Sequence, residues 1–137
     1  MQTVKRFGTI AASVAIAGAL LGSGATAHAN AGENVTSVYG MKCSGSAYSY
    51  WVYSFSLLSN NNENVGVRDG CSDGNGVYSL YDRVNDHGLR LDDTNGYGTT
   101  VYSGNSTSNY VQKVTGCLNI YLTPDQCGPD DRPGDGR

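Results

Sequence analysis

The sequence predicts an all-β protein, a small disulfide-bridged antiparallel β-sandwich of about eight strands, and three observations carry that prediction. Glycine makes up 19 of the 137 residues and tyrosine ten, with Ser and Asn abundant and Lys scarce, a composition that favours short strands joined by turns over helices. No segment beyond the N-terminal leader carries a 3.6-residue apolar stripe. Turn signals recur at a spacing of about 8 to 12 residues, as in a sandwich or small barrel.

The chain opens on a positive start, Lys5 and Arg6, followed by an apolar run over residues 10–21 and the small-x-small triplet Ala27-His28-Ala29. This pattern predicts a secretory signal peptide over residues 1–29, with cleavage after Ala29 or, as the close alternative, after Ala27. The run is shorter than the roughly 20 residues of a bilayer-spanning helix. The expected product is therefore a secreted, extracellular domain over residues 30–127, with an extended N-terminal arm and a tail over 128–137.

Counting from Val35 in that arm, the strands follow in order. Residues 47–58, AYSYWVYSFSLL, alternate with period two and give the strongest strand signal. Trp51, Tyr53, Phe55 and Leu57 fall on the more apolar face, expected to be core, with Tyr48, Tyr50 and Val52 on the other. The Asn-rich stretch 60–64 breaks the pattern before a short strand over 65–68, and the Gly- and Asp-rich stretch 69–76 reads as a long turn. Strands over 77–84 and 89–91 form a hairpin across Asn85-Asp86-His87-Gly88. A further strand over 99–102 follows the Asn95-Gly96 turn, and two more over 110–115 and 117–123 complete the set, the last with Leu118, Ile120 and Leu122 inward. The tail contains only Gly, Pro, Asp and Arg and is expected to be disordered.

All four cysteines, Cys43, Cys71, Cys117 and Cys127, follow the expected cleavage site, so two disulfides are the default in an oxidising compartment. Three connectivities are open. Cys43 to Cys71 with Cys117 to Cys127 is favoured, because each bridge then encloses a contiguous stretch. A metal site is disfavoured by the absence of any Cys-x-x-Cys pair and by the distance in sequence of His87 from every cysteine. No cofactor is implied.

The formal net charge is -3, and removing the leader takes away two cations and no acid. Such an acidic domain lacks the basic stripe that nucleic acid or an anionic membrane would require. Catalytic constellations are equally thin. His87 is the one base available to a Ser or Cys nucleophile and sits in a hairpin turn. The size and composition match small secreted ribonucleases, but Glu33 and Glu63 fall in an arm and an Asn-rich loop, out of register with Arg and His. Asp82 and Asp92 would face each other across the hairpin as a carboxylate pair for glycoside hydrolysis only if the turn brought them within about 5 to 9.5 Å. Asp69, Asp73 and Asn75, and Asp92, Asp93 and Asn95, cluster in two loops, yet neither fits the EF-hand calcium pattern. Asn34-Val35-Thr36 and Asn105-Ser106-Thr107 match the glycosylation sequon and are read as chance in a bacterial chain.

The stretch 111–128, VQKVTGCLNIYLTPDQCG, closes on a Cys-Leu-Asn-Ile-Tyr-Leu-Thr-Pro-Asp-Gln-Cys spacing after an alternating strand. It resembles the C-terminal part of small secreted actinomycete proteins with an Ala-rich signal, an Asp-rich central hairpin like residues 81–93, and a terminal disulfide matching Cys117 and Cys127. That resemblance implies a two-disulfide β-sandwich and no activity. Actinomycete α-amylase inhibitors are also small and Tyr-rich, but Tyr50-Trp51-Val52 stands where they carry Trp-Arg-Tyr. In size, export and lack of catalytic groups the chain is similar to the small adaptor subunits of secreted umbrella-type antibacterial toxin particles.

The tyrosines exceed what a small core absorbs, and tyrosine supplies rigid contact area with a polar tip. The expectation is a non-enzymatic extracellular protein-binding module, an adaptor or accessory subunit of a secreted complex. Candidate partner contacts are Tyr48, Tyr50, Tyr97 and Tyr102, with Val35 and Val38 in an arm that would pair with the partner as an added strand. The competing reading is an inhibitor of a secreted protease or amylase, presenting a disulfide-framed loop such as 69–76; a small secreted hydrolase comes third.

Overall fold

A computed structural model describes residues 34–132. The expected signal peptide over 1–29, the start of the arm (30–33) and the end of the tail (133–137) lie outside the described residues. Eight strands follow one another: β1 (Val35–Tyr39), β2 (Val52–Ser56), β3 (Gly66–Asp69), β4 (Gly76–Arg83), β5 (Leu89–Asp93), β6 (Thr100–Tyr102), β7 (Val111–Asn119) and β8 (Gln126–Cys127). They form two four-stranded antiparallel sheets, ordered β1-β2-β3-β6 and β5-β4-β7-β8. The core lies between the sheets, where Val35, Val52 and Val67 of the first meet Val77, Val114 and Leu118 of the second, all nearly or fully buried. Among the described residues, one 3-10 turn, Leu58–Asn60, is the helical content.

The strand expected over 47–58 is shorter, β2 covering Val52–Ser56, and within it the period is as expected but the opposite face is inward. Val52, Ser54 and Ser56 are fully buried between the sheets, which turns Tyr53 and Phe55 outward. The cause is visible across the interface. The Ser54 and Ser79 hydroxyls hydrogen-bond at 2.6 Å from sheet to sheet. Beside them, Gly116 sits so close that a Cβ would lie 3.0 Å from the Ser37 carbonyl oxygen. Sheets this near have no space for Tyr and Phe between them, so small residues occupy the inner positions.

The C-terminal strands also differ from expectation. The two strands read over 110–115 and 117–123 are one nine-residue strand, β7, because Gly116 keeps its place in the ladder opposite Ser79. The eighth strand is the two-residue β8, in register with β7 through Cys117 opposite Cys127. Leu118 is inward as expected, whereas Leu122 lies beyond the strand and is 87% exposed. Residues 128–132 of the tail, expected to be disordered, are docked. The Gly128 N–H donates to the Gly116 carbonyl at 2.9 Å, the Ser37 hydroxyl donates to the Pro129 carbonyl at 2.5 Å, and Asp131 bridges to Val114 and is buried. The Asp131 carboxylate accepts the Thr36 N–H at 2.5 Å. The tail is apolar-poor, but the polar groups along β1 and β7 give it partners.

Disulfides join Cys43 to Cys71 and Cys117 to Cys127, bridges worth about 3 kcal/mol each in the chain-entropy account. Two disulfides point to an oxidising, extracellular setting, and no described helix is long and apolar enough to cross a membrane. A second tie comes from Arg83, buried at the end of β4. Its guanidinium donates to the carbonyls of Glu63 (2.9 Å), Asn109 (2.7 Å) and Gly104 (2.6 Å) and to the Ser103 hydroxyl (3.1 Å). One side chain thus fixes two loops that have little apolar content of their own.

The serine contact makes a measurable prediction. Ser54→Ala and Ser79→Ala should each cost about 1 to 2 kcal/mol, since each leaves the other hydroxyl buried without its partner. The double variant should cost less than the sum of the two. Urea unfolding of the four proteins measures this coupling, and strict additivity would show that the contact contributes nothing.

Candidate functional site

Inverting the face of β2 moves aromatic side chains onto the outer surface of the first sheet. Register sets Val38 opposite Tyr53, Tyr53 opposite Arg68, Phe55 opposite Gly66, Gly66 opposite Tyr102, and Arg68 opposite Thr100. The rings are organised as a stack. Tyr50 lies on Tyr53 at 5.3 Å between centroids and 28° between planes, and Tyr53 on Phe55 at 4.9 Å and 22°. Tyr102 then meets Phe55 edge-on at 5.9 Å. Phe55 is itself largely buried because it covers Gly66, where a Cβ would overlap the ring. An aromatic laid over a strand glycine replaces the packing that the glycine lacks.

Next to the stack, Arg68 is fixed from two sides. Its guanidinium carbon sits 4.7 Å from the Tyr48 ring centroid, and its Nε donates to the Thr100 hydroxyl at 2.8 Å. Tyr48 is anchored in turn by its hydroxyl, which donates to the Gly98 carbonyl at 3.3 Å, and by an edge contact with Tyr97 at 6.0 Å. A cavity of about 250 Å³, open to solvent, is lined by Tyr48, Tyr50, Tyr53 and Arg68. Burial, and secondarily the neighbouring Tyr50, push the Tyr53 phenol above its ordinary range, against a smaller opposing pull from Arg68. Its hydroxyl therefore keeps its proton at neutral pH.

The candidate contacts divide accordingly. Tyr48 and Tyr50 border the cavity, half-buried, and Tyr97 and Tyr102 are 43% and 56% exposed at the margins of the same surface. Val38 is half-buried on this face, opposite Tyr53. Val35 is a correction: it is 0% exposed, inward on β1, and belongs to the core. Nor is the described part of the arm extended and open, since β1 is paired with β2 along its whole length. Arg68, at the end of a short strand, carried no facing signal in the sequence, and Tyr53 and Phe55 were missed as outer-face residues because the apolar alternation that revealed the strand pointed them inward. The clue to the other assignment was the serine at every second position between them.

The carboxylates are engaged elsewhere. Asp82 and Asp92 lie apart: Asp92 is opposite Tyr78, four residues from Asp82 along β4, a separation of about 13 Å that exceeds the range for an acid–base pair. Asp92 pairs with Arg90, whose Nη2 lies 2.6 Å away. Burial alone would raise the Asp82 carboxyl, but hydrogen bonds from Lys113 and the Gly88 N–H, with the charges of Lys113 and His87, hold it below its ordinary value. His87 itself is exposed, 4.0 Å from Asp82. In the two acidic loops, Asp73 accepts the Asn75 N–H and Asp93 the Asn95 N–H, each at 2.9 Å, turns that account for the residue types. Asp93 also accepts from the Thr99 hydroxyl, and Asp69 from the Cys71 N–H at 2.9 Å.

Asp69 generates a signed prediction. Burial first, and the charges of Asp73 and Asp93 after it, raise its carboxyl against the lowering effect of the Cys71 N–H. A raised folded-state pKa means a contribution to stability that is full below the unfolded value of about 3.9 and lost as pH rises through the folded one. Asp69→Asn should therefore raise the urea midpoint at pH 7 and leave it nearly unchanged at pH 3. A lower midpoint at pH 7 would reverse the assignment. For Asp82 the sign is opposite: its contribution is present at neutral pH and lost as pH falls through the lowered value.

Set against known proteins, the chain matches no family model, no curated protein and no solved structure.

Proposed function

We propose that the protein is a non-enzymatic extracellular protein-binding module, an adaptor or accessory subunit of a secreted complex, and that it binds through the outer face of the β1-β2-β3-β6 sheet. The observation that carries this reading is the stack Tyr50–Tyr53–Phe55 with Tyr102 at its end. Tyrosines that already pack on one another lose little side-chain freedom when a partner arrives, which is the property that makes them effective binding anchors. The stack also favours a protein over a saccharide. Sugars dock on open ring faces, whereas Tyr53 and Phe55 have neighbouring rings stacked on theirs. Strand addition at the N-terminal arm is not part of the proposal, because β1 is paired with β2 on one side and bonded to the docked tail on the other.

An inhibitor remains the second reading, on one observation. The turn between β7 and β8, framed by Cys117–Cys127, carries Tyr121 and Leu122 at 84% and 87% exposure, with Leu122 at φ 63. A non-glycine residue held in that region stores about 1 to 3 kcal/mol, a cost often associated with function. The loop 69–76 first considered for this role is polar by comparison.

One experiment separates the two. Isolated from the medium of its native host, the protein should elute with a second polypeptide at fixed stoichiometry. Tyr50→Ser and Tyr102→Ser should each reduce the recovered partner about tenfold or more while near-UV circular dichroism stays native. Tyr121→Ser should leave recovery intact. Elution as a lone monomer overturns the proposal, and a loss confined to Tyr121→Ser transfers the interface to the hairpin.

A further inference from the structure

We infer that the cavity lined by Tyr48, Tyr50 and Tyr53 receives a carboxylate side chain of the partner polypeptide, clamped by Arg68. The inference rests on the protein-binding reading above and specifies the chemistry of its central contact. By register, the outward positions of this sheet are Thr36, Val38, Tyr53, Phe55, Gly66, Arg68, Thr100 and Tyr102, so Arg68 is the one formal charge on the face. On the second sheet, Lys113 lies 2.8 Å from Asp82 and Arg90 2.6 Å from Asp92, while the buried Arg83 is satisfied by three carbonyls and the Ser103 hydroxyl. Arg68 has no carboxylate within ion-pair distance among the described residues. Its Nε is taken by Thr100 and its plane is held against Tyr48, but both terminal nitrogens are without a hydrogen-bond acceptor among those residues.

A guanidinium fixed in orientation with its two terminal nitrogens free is a preformed fork for two parallel hydrogen bonds to a carboxylate. The hydroxyls of Tyr50 and Tyr53 donate to no described residue and stand on the cavity wall as further donors. Charge balance selects the ligand: one guanidinium matches one carboxylate, while a phosphate dianion would call for a second cation that the face does not hold. The chain's net charge of -3 further opposes polyanions. A partner seated over the open cavity would shield the ion pair from solvent, which strengthens it relative to an exposed pair.

The test uses three probes on the ¹⁵N-labelled protein: acetyl-Ala-Glu-Ala-amide, acetyl-Ala-Gln-Ala-amide and inorganic phosphate. The glutamate peptide should shift the Arg68 Nε–H and the Tyr48 and Gly70 amide resonances saturably. Its affinity should fall about tenfold or more in Arg68→Gln, the equivalent of about 1.4 kcal/mol, and fall also in Arg68→Lys, which keeps the charge and loses the fork. Both variants should retain the wild-type amide dispersion; if Arg68→Gln does not, Arg68→Lys alone decides. Equal shifts from the glutamine peptide, tighter binding of phosphate, or unchanged affinity in Arg68→Lys overturns the inference. A negative peptide result alongside partner recovery that still depends on Tyr102 rejects the carboxylate clamp and leaves the binding face standing. A positive peptide result on a protein that elutes alone does the reverse.

Discussion

Ser54 and Ser79 meet hydroxyl to hydroxyl at 2.6 Å between the two sheets, with Gly116 and Ser37 in the same layer. The rest of the domain is arranged around that close approach. A seam of small residues brings the sheets together at the middle of the core, and apolar volume is displaced to either end, into one cluster around Val35, Val111 and Val114 and another around Val52, Val67 and Leu118. Large aromatics on β2 have nowhere to go but outward. The outer aromatic surface is thus a direct consequence of the inner serine layer, and the two faces of one strand cannot be altered independently. Buried hydroxyls are costly unless paired, so the same contact that admits polar residues to the core also fixes which polar residues must face each other.

Edge strands expose unpaired backbone groups that invite further pairing, and each edge here is managed differently. The edge of β1 is closed by the docked residues 129–131, with Asp131 accepting the Thr36 N–H. On the second sheet, β5 alternates exposed Arg90 and Asp92, and Arg90 lies 3.6 Å over the Tyr78 ring while it pairs with Asp92. The remaining edges, β6 and β8, are three and two residues long. Little of the domain's periphery is therefore open to strand addition. This directs any broad contact toward a sheet face.

The period of two within 52–56 and the turn of the β4–β5 hairpin were legible in the sequence because each is a local signal, and the disulfide pairing because each cysteine joins its neighbour in chain order. What was not legible is long-range. Alternation identifies a strand but leaves its inward side to be chosen by hydrophobicity, and in β2 that choice fails because inter-sheet distance decides it. Serine at positions 54 and 56 looks like a solvent face until Ser79 and Gly116, from strands far along the chain, are placed against it. The tail fails for the same reason: a stretch of Gly, Pro, Asp and Arg carries no apolar signal, and its order comes from hydrogen bonds to β1 and β7. Arg83, holding four acceptors from two loops, reads locally as an ordinary surface arginine at a strand end. The tyrosines of the candidate site were legible as a group, from their number. Their neighbours Tyr53 and Arg68 were not.

The geometry of the aromatic face bears on the kind of surface it can recognise. Exposed aromatic area on a soluble protein is a liability for association unless it is constrained, and here the rings constrain one another. In the Tyr50–Tyr53–Phe55 stack the middle ring, Tyr53, has a neighbour on either side, so much of what it offers to water is ring edge and hydroxyl group. Edges carry the positive part of the aromatic quadrupole and hydroxyls donate. Arg68, set into the same face, adds a full positive charge. A surface of donors, positive edges and one guanidinium is complementary to acceptors and anions. On the protein-binding reading it therefore fits a partner surface of carbonyl oxygens and carboxylates better than an apolar one. An exposed tyrosine face would otherwise suggest greasy contact, and the ring stacking is what converts it into a polar, directional one.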